Sequence, residues 1–116
     1  MELFRLPPRY IDMFASSGVQ ITRAALVEEP LDGFAVSVMK LEPDGRVGRH
    51  PTHLWQLFLV LDGSGWVSGD DGQRHVVIPG HAALWAPGEQ HESGTKEGML
   101  AVVVECRARP LPSPLA

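Results

Sequence analysis

The sequence predicts an all-β protein, built as a sandwich or barrel of short antiparallel strands. Its 12 glycines and 10 prolines punctuate the chain at short intervals instead of clustering into a linker. The segments between them are too short for typical helices, and several are rich in Val, Leu, Phe or Trp. The candidate strands are VQITRAALVEE, FAVSVMKLE, LWQLFLVLD, GWVSG, QRHVVIP, HAALWAP and MLAVVVECRA.

Three glycine-containing segments supply the turns that an antiparallel arrangement needs. LDGSGW and EPDGR each combine glycine with an aspartate, a composition typical of turns. SGDDGQ predicts the tip of a hairpin between Trp66–Ser68 and His75–Ile78. We therefore expect neighbouring strands to run in opposite directions.

Two strands predict that the sheet is covered on both faces. Leu57–Leu61 and Met99–Val104 are apolar without the alternation that one solvated face would produce. A second sheet would cover one face and a partner subunit the other, so we expect a homodimer.

The length of 116 residues fits one domain spanning 1–116. We place its core at 19–107, between an N-terminal arm at 1–18 and a proline-rich tail at 108–116.

Charge and composition argue against several classes of partner. The formal net charge is −4, and no run of Lys or Arg could follow a nucleic acid backbone or an anionic membrane. No stretch approaches the roughly 20 apolar residues of a membrane span. The single cysteine, Cys106, cannot form an intramolecular disulfide, and the N-terminal segment lacks the apolar run of a signal peptide. We expect a soluble, cytoplasmic protein that binds neither nucleic acid nor membranes.

Two polar segments are candidates for the arms of one functional site. GRHPTHLWQ contains His50, His53 and Gln56 immediately before an apolar strand, and WAPGEQHE contains His91 beside a Pro-Gly turn. Imidazole nitrogens and amide oxygens are donors that divalent transition metals accept. Whether the two segments form one metal site is the question that these residue types raise.

The order of these residues resembles the two motifs of the cupin superfamily, over roughly 41–105. If Gly63 is aligned with the glycine that ends the first motif, the positions before it are occupied by His50, Thr52 and Gln56. Gly80, Pro87, Gly88 and His91 are similar to the second motif. The resemblance implies a small RmlC-like jelly roll with a divalent metal and a small-molecule ligand inside the barrel.

Residue by residue, the resemblance carries over only His50, Gln56 and His91 as metal ligands. Gln56 stands where the family has a glutamate, and a neutral donor holds a cation more weakly. Thr52 stands where the family has a second histidine. His53 could replace that histidine only if a bulge or turn at Pro51 and Thr52 interrupts the strand, because residues 50 and 53 otherwise face opposite sides.

Residues near these candidate ligands can be interpreted either as part of the site or as ordinary structural residues. Phe58 and Val60 share the strand parity of Gln56, and we expect them to line the pocket. Histidines in turns are commonly solvated, however, and Gln56 could simply form hydrogen bonds within a buried polar cluster. We expect His75, His81 and Glu89 to lie on the surface, the tryptophans to lie in the core, and Cys106 to be a packed thiol. Glu92 could lie on the surface or could orient His91.

Two functions remain open at this point. The first is a metal-binding cupin in which Fe, Mn, Ni or Zn keeps an open position for a small organic ligand, as in dioxygenase- or isomerase-like enzymes. The second is a non-enzymatic, metal-free protein that binds a small molecule or acts through its dimer surface. The substrate and the reaction are not specified by these residues.

Overall fold

The computed structural model describes residues 1–27 and 33–110 and confirms the all-β prediction. The regular structure of these residues consists of nine strands and one short 3-10 turn at Met13–Ala15. The strands are β1 (Arg9–Tyr10), β2 (Ser17–Val27), β3 (Phe34–Pro51), β4 (Trp55–Gly63), β5 (Gly65–Ser68), β6 (His75–Val77), β7 (Ala82–Trp85), β8 (Gln90–Gly94) and β9 (Met99–Cys106).

The strands form a nearly closed antiparallel barrel, with the order β6-β5-β8-β3-β9-β4-β7. Strand β3 is 18 residues long and joins both halves of this barrel. Its first part pairs with β9, its last part pairs with β8, and β2 pairs with it along its other edge. The hairpin predicted around SGDDGQ is confirmed, since β5 and β6 pair with Val67 opposite His75.

The turn predicted at EPDGR is wrong, because β3 bends there without reversing. Asp44 has a φ of 66°, and the register with β2 jumps from Ser17 opposite Arg46 to Val19 opposite Leu41. A Cβ on Gly45 would lie 2.6 Å from the Gly18 carbonyl oxygen, so the bend needs a glycine. Aspartate and glycine thus form a bulge, at the point where β3 leaves β9 and joins β8.

The hydrophobic core lies against the inward faces of β3, β4 and β9. Its members include Met39, Leu41, Phe58, Val60, Met99, Ala101 and Val103. The outward residues of β4 and β9 are half-buried in the isolated chain, and Leu61 is 47% exposed. The homodimer that would cover this outer face remains a prediction.

The N-terminal segment lies directly against the barrel. Tyr10 in β1 pairs with Gln20 in β2, and the Ile11 N–H donates to the Val19 carbonyl at 3.1 Å. Of the predicted tail, 111–116 falls outside the described residues. In the described part of the chain, no helix is long and apolar enough to cross a membrane.

Candidate functional site

The two polar segments predicted as arms of one site lie side by side. His50 in β3 is the cross-strand partner of His91 in β8, and their ring centroids are 4.3 Å apart. Both imidazoles also contact an aromatic ring: Phe14 stacks on His50, and Trp85 lies 4.7 Å from His91. The pairing of β3 with β8 therefore creates the centre of the site.

Thr52 fastens the two segments to each other. Its hydroxyl donates to the Ala86 carbonyl at 2.8 Å, and its backbone N–H donates to the Glu89 carbonyl at 3.0 Å. The Gly88 N–H in turn donates to the Thr52 carbonyl at 2.9 Å. The residue at the family's second histidine position is thus a buried structural clamp on the Pro-Gly turn.

His50 is oriented by the backbone of its own strand. Its Nδ1 lies 2.7 Å from the Gly48 carbonyl oxygen, which can only accept, so Nδ1 carries the proton. In the neutral ring, Nε2 then keeps its lone pair. A ring fixed in this way presents one nitrogen to a ligand or metal.

His91 is held neutral at physiological pH. It is 3% exposed, and burial lowers the pKa of its imidazole to about 4, with the nearby charge of His50 adding to the effect. The carbonyl groups of Glu89 and His50 partly oppose this shift. In the described residues, Nδ1 of His91 is nevertheless buried without a hydrogen bond of normal geometry. This atom is closed off from solvent and does not itself line the cavities.

Gln56 enters the site from β4, and it brings in a carboxylate that the sequence analysis missed. Gln56 is buried and lies opposite Glu105 in the β4–β9 ladder. Glu105 borders the same two cavities as the paired imidazoles. It follows Ala101 and Val103 at the two-residue spacing of the inward face of β9. The sequence signal for Glu105 is therefore a charged residue at an inward-facing position of an apolar strand.

The N-terminal segment supplies an aromatic wall. The Phe14 ring lies 3.8 Å from the His50 ring at an interplanar angle of 5°. Phe14 has a φ of 61° and a ψ of 31°, a left-handed conformation that is uncommon for a bulky residue. A Cβ on Gly48 would overlap the Phe14 carbonyl oxygen, and the Gly48 N–H donates to the Ser16 hydroxyl at 3.1 Å. Gly48 therefore allows the segment to approach close enough for the stack.

Two adjoining cavities meet at these side chains. Both are bordered by Phe14, His50, Gln56, His91 and Glu105. The larger has a volume of about 350 Å³ and extends past the loop after β3. The smaller has a volume of about 130 Å³ and extends into the barrel between β2, β3 and β9. A depression of about 550 Å³ elsewhere is bordered by Asp71, His75 and Glu89 and lacks the paired imidazoles, so we place the site at the two adjoining cavities.

The other predicted site residues are His53, at the edge of the larger cavity, and Phe58 and Val60, in the core of the barrel. His53 is exposed in the loop after Pro51 and borders the larger cavity. Strand β3 does end at Pro51, which is the interruption that a ligand role for His53 requires. Phe58 and Val60, each 1% exposed, belong to the core and border neither of the two cavities.

The two glutamates beside His91 have structural partners. Glu89 accepts a hydrogen bond from the Ala86 N–H at 3.0 Å and closes the turn. Glu92 forms an ion pair with Arg46 at 3.4 Å. The Glu92 side chain is only 17% exposed, and its partner here is Arg46, not His91.

The donor set fits a divalent cation only weakly. Two imidazoles and Gln56 border the same cavities, but residues 1–27 and 33–110 contain no group of three His, Cys, Asp or Glu side chains arranged for one ion. Catalytic zinc sites usually have three protein ligands, and an amide contributes no charge. An ion here would depend on an amide oxygen as its third protein ligand.

Solved structures show which fold this is. The polyketide cyclase RemF from Streptomyces resistomycificus is 20% identical over 100% of this chain and 87% of its own, with a TM-score of 0.78. A cupin-like protein from Thermotoga maritima is 17% identical over 93% of this chain and 83% of its own, with a TM-score of 0.78. An RmlC-like cupin from Shewanella frigidimarina is 14% identical over 87% of this chain and 90% of its own, with a TM-score of 0.68.

Comparison of the sequence with known families and proteins finds no match, whereas comparison of the structure does. No protein-family model matches the sequence, and no curated protein matches it either. Identities of 20% or less establish a fold and not an activity. The barrel, its strand order and these similarities together show that the chain has the cupin fold.

Proposed function

We propose that this chain binds a small organic molecule in the two adjoining cavities, next to a divalent cation held by His50, Gln56 and His91. The observation that carries the proposal is the pair of imidazoles, His50 and His91, with ring centroids 4.3 Å apart at the border that both cavities share. A neutral imidazole can accept a hydrogen bond from a ligand or bind a metal ion.

The residues around the cavities have separate roles in this proposal. His50 offers Nε2 in a fixed direction, and Glu105 offers a carboxylate that can accept a proton. Phe14 shields the His50 ring from water. A bound cation would polarise an oxygen of the organic molecule or acidify a bound water. The proposed ions are Fe, Mn, Ni and Zn, because imidazole and oxygen donors suit all four, and His53 is proposed as a further ligand from the loop.

Whether the bound molecule is also converted is a separate question. RemF, which shares the fold, is a polyketide cyclase, and this supports testing the chain as an enzyme. The same scaffold hosts unrelated activities, so the fold does not select a reaction.

The experiment that tests the cation is metal analysis of purified protein after growth with Fe, Mn, Ni and Zn. We expect up to one ion per chain, lost on chelation and lost in His91→Ala. The matched control is His75→Ala, since His75 is exposed in β6 and borders neither cavity. Metal-free protein from supplemented medium, or equal metal in His91→Ala and His75→Ala, would contradict a cation at His91.

A metal-free binding protein is the second candidate, and two observations favour it. Gln56 and Thr52 replace charged or imidazole ligands of the family pattern, and Thr52 is already bonded to Ala86. If this candidate is correct, a ligand found by screening binds equally well before and after chelation.

The dimer and the cellular location also belong to the proposal. The half-buried outer face of β4 and β9 supports a homodimer, which light scattering would detect and Leu59→Lys would disrupt. The single thiol of Cys106 donates to the Ala108 carbonyl and suits the reducing conditions of the cytoplasm.

A further inference from the structure

Two arginines border the smaller cavity. Arg9 from β1 and Arg23 from β2 border it, together with Ser37 from β3. Neither arginine borders the larger cavity. The two cavities therefore offer different chemistry on either side of the paired imidazoles.

Arg23 is held at this cavity by a buried hydroxyl. Its Nε–H donates to Ser37 Oγ at 3.2 Å, and Ser37 is 4% exposed. A guanidinium has five N–H donors, so this hydrogen bond leaves four. They are two N–H groups on each Nη atom, and one from each Nη forms the planar pair that matches a carboxylate.

The charges around the smaller cavity leave a positive excess. Two guanidinium groups and one carboxylate, Glu105, border it. Within residues 1–27 and 33–110, neither Arg9 nor Arg23 forms an ion pair. The guanidinium groups thus have donor capacity that no carboxylate of the described chain uses.

The volumes show how a ligand would divide between the cavities. About 130 Å³ is smaller than the roughly 300 Å³ of an ordinary ligand pocket and suits one functional group or a small ring. The adjoining cavity of about 350 Å³ has room for the remainder of the molecule. A single ligand filling both would pass beside the His50 and His91 rings.

We propose that the smaller cavity binds the anionic group of this ligand, a carboxylate or a similar planar oxyanion, through Arg23 with support from Arg9. The inference rests on the proposed function, since it names the class of organic molecule that the same site accepts. It makes Arg23 a specificity-determining residue. Arg9 and Arg23 are both exposed, so their N–H groups bind water when no ligand is present. A neutral molecule of the same shape would lack the charge-assisted hydrogen bonds that a carboxylate forms with a guanidinium, and would therefore bind more weakly.

The test compares benzoate with benzamide, two planar molecules of nearly equal size, on the full chain. NMR titration of the isotope-labelled protein reports both the affinity and the residues contacted. We expect benzoate to shift the signals of His91 and Phe14 and to bind at least about tenfold more tightly than benzamide. Arg23→Gln removes this preference, and Arg23→Lys retains part of it because a lysine offers the charge without the planar fork.

Arg74→Gln is the matched control, because the Arg74 guanidinium stacks on the Trp66 ring at 3.7 Å and borders neither cavity. It should bind benzoate like the unaltered chain. Equal affinity for benzoate and benzamide at His91, or unchanged selectivity in Arg23→Gln, overturns the anion assignment and leaves the proposed function standing. If neither molecule shifts His91 or Phe14, the anion assignment is wrong, and the metal analysis of His91→Ala alone decides the proposed function.

Discussion

His50 and His91 face each other across the β3–β8 ladder, with ring centroids 4.3 Å apart. Two imidazoles at this distance cannot both carry a proton without repulsion, and burial already opposes charge on His91. The pair therefore presents at least one neutral ring at physiological pH. A neutral imidazole is the form that accepts a hydrogen bond or binds a metal.

The first prediction concerns stability in acid, measured on chelated protein. The pKa of His91 falls from 6.5 to about 4 on folding, so between these values the unfolded chain takes up a proton that the folded chain does not. Above pH 6.5 His91 contributes no pH dependence, and the free energy of unfolding then decreases as the pH falls towards 4. The loss should not exceed about 3 kcal/mol.

Urea denaturation of the unaltered chain and of His91→Gln checks this prediction. Carboxylates contribute to the pH dependence of both proteins, so the quantity to follow is the difference between them. That difference should change between pH 6.5 and 4 and be constant above 6.5. Parallel curves over the whole range would show that His91 is not held neutral by burial.

The second prediction is that Gln56→Glu strengthens cation binding. A carboxylate adds charge to a donor set of two imidazoles, and we expect metal affinity to rise by about tenfold or more. Gln56 is buried, so the metal-free variant should melt at a lower temperature than the unaltered chain, whereas the metal-loaded variant should melt at a higher one. Gln73→Glu, at an exposed position of the hairpin, should change neither property. Unchanged metal affinity in Gln56→Glu would remove Gln56 from the ligand set.

The third prediction concerns the clamp at Thr52. Thr52→Val keeps the shape of the side chain but removes the hydroxyl that donates to Ala86, at a cost of about 1 kcal/mol in unfolding free energy. Because the clamp holds the turn before His91, ligand or metal affinity should fall as well. Thr22→Val, on β2 and outside both cavities, is the comparison. Loss of stability with full retention of affinity would mean that the clamp supports the barrel alone.

The fourth prediction tests the approach of the N-terminal segment to β3. Gly48→Ala places a Cβ against the Phe14 carbonyl and should displace the segment from the barrel. Overpacking of this kind costs about 1–3 kcal/mol, so trypsin cleavage after Arg9 should accelerate by about tenfold or more. Phe14→Ala removes the stacked ring without the clash and should keep the segment protected. Equal protection of Gly48→Ala and the unaltered chain would show that the contact is not needed.

The sequence was sufficient for the fold class because the relevant signals are local. Short apolar runs separated by glycine and proline define strands wherever they occur, and SGDDGQ defines its own hairpin. The turn predicted at EPDGR was wrong, because aspartate and glycine are common in β-bulges as well as in turns. Local composition does not reveal whether the chain reverses or bends.

The site was predicted only where a motif described it. His50 and His91 were placed together by their resemblance to paired motifs, and the β3–β8 ladder brings them into contact. Glu105 and Phe14 belong to no motif and reach the site through long-range strand pairing and the close approach at Gly48. Phe58 and Val60 follow the predicted parity, but the core fills the space around them.

The clamp at Thr52 means that the site is assembled by folding itself. Hydrogen bonds to Ala86, Glu89 and Gly88 align the two histidine-bearing segments through contacts within the protein itself. The entropic cost of bringing these segments together is therefore part of the folding equilibrium and does not reduce the affinity for a ligand. Differences in affinity across a series of small molecules should then reflect the direct contacts that each molecule makes. They should not include a conformational cost that varies from one molecule to the next.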